Sequence, residues 1–186
     1  MRLNGRWNEG NETALPPVPR SAADLRRPGF GLIRISKVTA GDICAIEEIA
    51  RVCKLAHWTR AAYLNELSRP DSVFFKATRD GICLGFLLAR ILKTVNGEVG
   101  RDAEIYNIGV APDEHRKGVG STLMNALLEE CRHRSVNAIW LEARTGNLPA
   151  IAFYSKHEFR VVTVRKSFYR DPVEDAIVMR SELYNS

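Results

Sequence analysis

The chain has 186 residues, of which 45% are hydrophobic and 26% charged, and its formal net charge is +5; this is enough apolar material for one core of ordinary domain size. No apolar run reaches the length of a membrane span, since Ile82–Leu92 is short and interrupted by Arg90, and the polar N-terminus lacks the apolar segment of a secretory signal. The four cysteines contain no Cys-x-x-Cys pair and sit in apolar segments, so they read as reduced core thiols of a cytosolic protein, and the scattered histidines predict no metal.

Residues 1–29 hold Pro16, Pro17, Pro19 and Pro28 among few apolar side chains and are expected to be a disordered extension. Glu9, Glu12 and Asp24 argue against a transit peptide. The extension carries +2 of the charge; the remaining +3 is spread over 30–183 without the basic stripe and interleaved aromatics of a nucleic-acid surface. A modest positive balance does suit a small acidic ligand. Gly31–Val38 reads as the first strand. Thr39 or Asp42 caps a helix whose apolar face is Ile43, Ile46, Ile49, Ala50 and Cys53. A second short helix covers Thr59–Leu67 and stops before Pro70. Ser72–Thr78 and Ile82–Leu92, joined at Asp80-Gly81, read as a hairpin. Strand Ala103–Val110, helix Gly118–Arg134, strand Ala138–Ala143, helix Leu148–His157 and two C-terminal strands complete an α/β order in one domain.

The most informative stretch is His115-Arg116-Lys117-Gly118-Val119-Gly120. It joins the apolar strand ending at Val110 to a helix with Leu123, Met124, Leu127, Leu128 and Cys131 at helical spacing. Free N–H groups and the positive end of the helix dipole at such a turn form an anion site, typically for phosphate. Glycines let the backbone approach the anion, and Arg116 and Lys117 add charge. The Gly-x-x-x-x-Gly-Lys-[Ser/Thr] phosphate loop is not matched. A dinucleotide fingerprint is matched in part, by Gly118-x-Gly120 and by Glu142 on the next strand. Against it, Leu123 stands at the third glycine and Ala111–Lys117 separate strand from turn. A plain helix N-terminus is the bland alternative.

The same loop is similar to the [Gln/Arg]-x-x-Gly-x-[Gly/Ala] loop of the GNAT acetyltransferases, which cradles the pyrophosphate of coenzyme A. Downstream, Leu141-Glu142-Ala143-Arg144-Thr145-Gly146-Asn147, with Ala150 and Tyr154, resembles the Leu-Glu-[Val/Ala]-Arg-x-x-Asn-x-x-Ala-x-x-x-Tyr signature of the RimI branch. That branch comprises bacterial N-terminal acetyltransferases acting on a ribosomal-protein alanine. Asn107-Ile108-Gly109-Val110, Arg165-Lys166-Ser167-Phe168-Tyr169, Glu174-Asp175-Ala176-Ile177-Val178-Met179 and His57-Trp58-Thr59 are further matches, so the resemblance covers roughly Leu32 to Met179. The chain departs from the pattern at His115 for Gln or Arg, at Glu158 for the Gly before Phe159, and at His57 for the Pro before Trp58.

The resemblance implies the GNAT fold, a mixed central β-sheet flanked by helices, with acetyl-CoA as co-substrate and no metal. It implies N-acetylation of a protein N-terminus, with the N-terminal alanine of a small-subunit ribosomal protein as target, by a cytoplasmic monomer or weak dimer that engages neither nucleic acid nor membrane. The alternatives are a small-molecule amine acetyltransferase on the same fold and a non-catalytic coenzyme A-binding or ribosome-binding module. By resemblance Arg116, Lys117, Gly118, Val119, Gly120 and Ser121 hold the pyrophosphate. Ile108, Gly109 and Val110 belong to a strand that splays from its neighbour and pairs with the pantetheine arm. Asn147 binds coenzyme A, Tyr154 is the general acid towards the thiolate, and Glu142 is the general base.

The residues carry readings of their own. Glu142 lies amid Ile139, Trp140, Leu141 and Ala143, where half-burial would raise a carboxylate pKa towards that of a useful base; a salt-bridged strand-end glutamate is the structural alternative. Asn147 is equally a helix N-cap. Tyr154 is equally an amphipathic core residue. Trp58, Phe168 and Tyr169 suggest an acceptor cleft that grips a peptide.

Overall fold

Alternation along the strands sorts the apolar side chains into two cores, one on each side of a single sheet. Val73, Ala77, Leu87, Ala89, Ile91, Ile105, Leu141 and Ala143 belong to one cluster, whereas their out-of-phase neighbours Phe74, Phe86 and Leu88 belong to the other. The computed structural model describes residues 31–56, 58–93 and 100–183; the expected extension over 1–29 and His57 lie outside them. In chain order the described elements are β1 (Arg34–Lys37), α1 (Ile43–Val52), α2 (Arg60–Leu67), β2 (Ser72–Arg79), β3 (Ile82–Lys93), β4 (Arg101–Val110), α3 (Val119–His133), β5 (Ala138–Arg144), α4 (Leu148–Lys156), β6 (Arg160–Arg170) and β7 (Val173–Glu182).

The strands form one sheet in the order β1-β2-β3-β4-β5-β7-β6. Neighbours are antiparallel except β4 and β5, which run parallel and are connected through α3. Helices α1 and α2 cover one face through Ile43, Ile46, Ile49, Ala50 and Tyr63. Helix α3 covers the other through Val119, Leu123, Met124, Leu127 and Cys131, joined there by Tyr154 of α4. The result is a mixed α/β sandwich with helices on both sides of the sheet. Among the described residues no helix is long and apolar enough to cross a membrane.

Local chemistry fixes the helix ends. Thr59 Oγ1 accepts from the Ala62 N–H at 3.2 Å and starts α2. Asp42 precedes α1, but its carboxylate turns back to the Thr39 N–H at 2.8 Å and to Lys76 Nζ at 2.5 Å, so the side-chain cap closes a 3-10 turn before the helix. At the end of α4, Glu158 takes the left-handed conformation, φ 66°, where the family pattern has glycine. The four cysteines carry free thiols, but Cys44 is exposed, which corrects its assignment to the core. It follows Ile43 by one position and so falls off the Ile43–Ile46–Ile49 stripe, with Arg60 Nη1 3.2 Å from its sulfur.

Candidate active site

The sheet opens where β4 leaves β5. The two strands pair only from Asp102↔Ala138 to Ile105↔Leu141. Beyond that point Glu142, Ala143 and Arg144 pair with β7, and Ile108, Gly109 and Val110 pair with β3. The register of β3 on β4 slips between Leu88↔Asn107 and Ala89↔Ile105, leaving Tyr106 as an extra residue at the fork. Such a bulge bends its strand and increases its twist.

The Ala111 N–H donates to Leu84 O at 2.8 Å. By alternation Gly109 turns its polar backbone to β3, whereas Ile108 and Val110 turn theirs to the gap. The Cα of Gly109 is crowded: a Cβ there would lie 3.0 Å from Leu55 and 3.1 Å from Phe86. Gly109 therefore serves close packing against the α1 side of the sheet. The Val110 carbonyl accepts from the Cys53 thiol at 3.1 Å and meets His115 Nε2 at 2.8 Å. His115, at the position of the family's Gln or Arg, thus ties the loop back to the end of β4.

After the fork the backbone turns through two left-handed residues, Arg116 (φ 61°) and Gly118 (φ 87°), into α3. The first helical bond runs from the Thr122 N–H to Gly118 O at 2.9 Å. The N–H groups of Val119, Gly120 and Ser121 precede it and have no intrahelical acceptor. Nothing lies within 4 Å of the position a Gly118 Cβ would take. Three aligned donors, open space and a positive helix end fit a phosphate group. Lys117 lies 3.3 Å from Glu114, which Arg79 also engages at 2.8 Å. Ser121 Oγ is 3.2 Å from His157 Nε2, whose ring sits 4.8 Å from that of Phe153. Burial, and then the charge of Lys156, push the His157 pKa down.

Glu142 corrects one expectation. Leu141 and Ala143 point into the α3 side of the sheet, so alternation sends the Glu142 side chain to the α1 side. Its apolar sequence neighbours therefore do not enclose its carboxylate; Arg165 Nη1 donates to Oε1 instead, and the Arg165 guanidinium lies 4.4 Å from the Phe168 ring centroid. Trp140 shares the Glu142 face but is held by Asp102, 2.9 Å from its Nε1, and by Arg180 over its ring.

Tyr154 lies on the α3 side and is 8% exposed, packed edge-on to Phe153 and tilted to Phe159. Burial, and then the neighbouring Tyr169, raise its phenol pKa well above the ordinary value, so it stays protonated. Asn147 is the N-cap of α4: its Oδ1 accepts from the Ala150 N–H at 3.2 Å. Burial and then the charge of Glu142 raise the Tyr169 phenol.

On the α1 side of the fork Trp58 packs against Tyr63 and Tyr106, with ring centroids 5.7 and 5.8 Å apart. Arg90 lies over the Tyr106 ring at 4.7 Å and is paired with Glu66, which is 3% exposed, through an Nε–Oε2 contact of 3.1 Å. The Asn107 amide, oriented to satisfy both its groups, accepts from Trp58 Nε1 at 3.3 Å and donates to Tyr106 O at 3.0 Å. Sequence reasoning named Arg165 only within a family match, with no role, and missed His157, Tyr106 and the Arg90–Glu66 pair. That Glu66 is a buried acid is visible only once its partner Arg90 on β3 is known. Among the described residues no group of three or more His, Cys, Asp and Glu side chains is gathered as a metal would require.

A forked mixed sheet with bare helix-terminal donors at its mouth defines the coenzyme A-dependent acyltransferase class. Residues 43–159 match the model of the acetyltransferase (GNAT) family, and the chain belongs to that family. It is 40% identical over 147 residues to the [ribosomal protein bS18]-alanine N-acetyltransferase of Salmonella typhimurium, covering 78% of this chain and 94% of that one. It is 32% identical over 126 residues to the N-alpha-acetyltransferase RimI of Mycobacterium tuberculosis, covering 67% and 75% of the two chains. The crystal structure of the ribosomal-protein-S18-alanine N-acetyltransferase from Escherichia coli superposes with a TM-score of 0.71 at 28% identity, over 83% of this chain and 96% of that one. Arabidopsis thaliana NAA60 in complex with acetyl-CoA shares the fold, with a TM-score of 0.74 at 21% identity over 82% and 99% of the two chains. The protein is an acetyl-CoA-dependent N-acetyltransferase.

Proposed function

We propose that this chain acetylates a protein N-terminal α-amine, and that its acceptor is the N-terminal alanine of the ribosomal protein for which its relatives are named. The parting of β4 from β5 carries the reading, because it opens the sheet between Glu142 on one face and Tyr154 on the other. In this reading the enzyme works in the cytoplasm as a monomer or weak dimer, apart from nucleic acid and membrane.

Acetyl-CoA supplies an acetyl group activated as a thioester. Val119, Gly120 and Ser121 offer their N–H groups to its pyrophosphate, with Arg116 and Lys117 adding charge. Asn147, at the start of α4, contributes its free amide nitrogen. The gap-facing backbone of Ile108 and Val110 holds the pantetheine arm and polarises the carbonyl. Arg165 engages Glu142 Oε1, and Oε2 takes the proton of the attacking amine, directly or through water. Tyr154, kept protonated by burial, gives its hydroxyl proton to the departing sulfur. An α-amine has a pKa of about 8 against about 10.4 for lysine, so much more of it is neutral near pH 7.

The test is incubation with labelled acetyl-CoA and peptides that vary the first residues, followed by mass spectrometry. Label on the α-amine, with alanine preferred, is the expected result. Label mainly on internal lysines, or only on small amines, overturns the assignment.

A further inference from the structure

The loop between β5 and α4 and the turn between β6 and β7 are fastened by two side chains that the chemistry above does not use. Arg144, the last residue of β5, donates through Nη1 to Glu174 Oε2 at 3.0 Å and to Pro172 O at 3.2 Å. Its Nη2 donates to Asp171 O at 2.9 Å, and its guanidinium carbon lies 4.1 Å from the Tyr169 ring centroid. Glu174, near the start of β7, accepts through Oε1 from the Gly146 N–H at 2.7 Å and from Thr145 Oγ1 at 3.4 Å. Gly146 makes this approach possible, since a Cβ there would stand 3.0 Å from that oxygen. The Gly146 N–H, and then Arg144, hold the Glu174 carboxyl below the usual carboxylate range.

The geometry demands arginine. One planar fork spans a carboxylate and two carbonyls while its face covers a ring, which a lysine ammonium cannot do. What it fixes is the place of Tyr169. The ring is pinned under Arg144, two residues along β5 from Glu142, and its phenol is close enough to feel the Glu142 charge. Phe168, packed edge-on to Tyr169 at 5.1 Å, lies under the arginine that holds Glu142. The turn residues, the aromatic pair and the proposed base therefore keep one spatial register through the Arg144–Glu174 pair.

We propose that Arg144 and Glu174 are positioning residues that set the β6–β7 turn and the Tyr169 ring against Glu142, and so hold the acceptor peptide for acetyl transfer. The inference rests on the function proposed above. Displacements of an ångström in such supports can cost up to about a hundredfold in rate.

The test uses the full chain carrying Arg144→Lys, Arg144→Ala, Glu174→Gln or the Arg144→Ala/Glu174→Gln pair, assayed with an alanine-initiated peptide well below the melting temperature. The dissociation constant of coenzyme A is measured alongside. For Arg144→Lys, kcat/KM for the peptide is expected to fall about tenfold, and further for Arg144→Ala, with coenzyme A affinity held within about twofold. The double variant should lose little beyond Arg144→Ala, because the two side chains act on one contact. Folded variants with unchanged peptide kcat/KM overturn the inference, as does coenzyme A affinity falling in step with activity, which marks general loosening. If the wild-type chain does not acetylate the peptide, the proposed function fails and this inference falls with it. If the wild type is active and the variants match it, only the positioning role fails.

Discussion

Glu142 and Tyr154 stand on opposite faces of the sheet, on either side of the opening where β4 leaves β5. An active site built this way has two entrances. In the mechanism proposed above, coenzyme A approaches the α3 terminus and α4 on one side, and the amine approaches Glu142, Tyr169 and the aromatic wall of Trp58 and Tyr106 on the other. Under that proposal the acceptor and the leaving sulfur have separate proton partners, and neither must exchange places during turnover.

Glu142→Gln keeps the size and hydrogen-bonding capacity of the side chain and removes the base, whereas Tyr154→Phe keeps the buried ring and deletes the hydroxyl. General acid–base groups contribute about 10²–10⁴-fold, so each change should lower kcat by about that factor with coenzyme A affinity little altered. The loss in Glu142→Gln should shrink as pH rises, because more of the amine is then already neutral. Steady-state kinetics across pH decide it. Near-wild-type turnover in both folded variants would make the two residues structural.

Element type was legible because alternation and turn residues are local signals: β4 begins at Arg101 against an expected Ala103, and α3 runs Val119–His133 within the expected span. The left-handed turn into α3 was legible for the same reason, since glycine and a helix start lie side by side. The fork was not, because it depends on Tyr106 being one residue too many for its partner strand, which has no local mark. Nor was the pairing of Glu142 with Arg165, which reaches across β7 to a residue distant in sequence, or that of Arg144 with Glu174. Inferring the surroundings of the Glu142 carboxylate from its sequence neighbours failed because a strand places Leu141 and Ala143 on the other face.

Glu158 is exposed and left-handed at the end of α4, with the following Phe159 N–H bonded to Tyr154 O at 3.1 Å. A non-glycine residue pays about 1–2 kcal/mol in that conformation, part of which glycine returns as unfolded-chain entropy. Glu158→Gly should therefore stabilise by about 1 kcal/mol, a rise of roughly 2–4 °C in melting temperature for a chain of this size. Calorimetry showing no change or a fall would mean the backbone there is not strained.

His157 gives stability a pH dependence with a definite sign. Its folded pKa is pushed below the ordinary 6.5 by burial and then by Lys156. The unfolded chain therefore takes up the proton first as pH falls, and stability rises with pH in that window. The contribution is complete above 6.5 and is lost as pH drops from there through the lowered folded value. Wild type should melt lower at about pH 5.5 than at about pH 7.5, and His157→Gln should show a smaller fall. Equal falls in the two proteins would assign the dependence to other groups.

The α3 terminus can be tested by binding and strain together. Acetyl-CoA at a hundred times its dissociation constant should add about 2.7 kcal/mol of stability, and NAD should add none. Gly118 has φ 87° and open space around its missing Cβ, so Gly118→Ala meets no clash and suffers only backbone strain. That strain should cost the ligand-free protein about 1–2 kcal/mol. If phosphate sits on these N–H groups, a methyl group and a shifted backbone at Gly118 also obstruct its approach, so the melting shift with acetyl-CoA should shrink in the variant. Thermal melts of both proteins with and without each nucleotide separate the two effects. A full acetyl-CoA shift in Gly118→Ala would move the pyrophosphate site off this turn, and a shift with NAD alone would overturn the coenzyme A assignment.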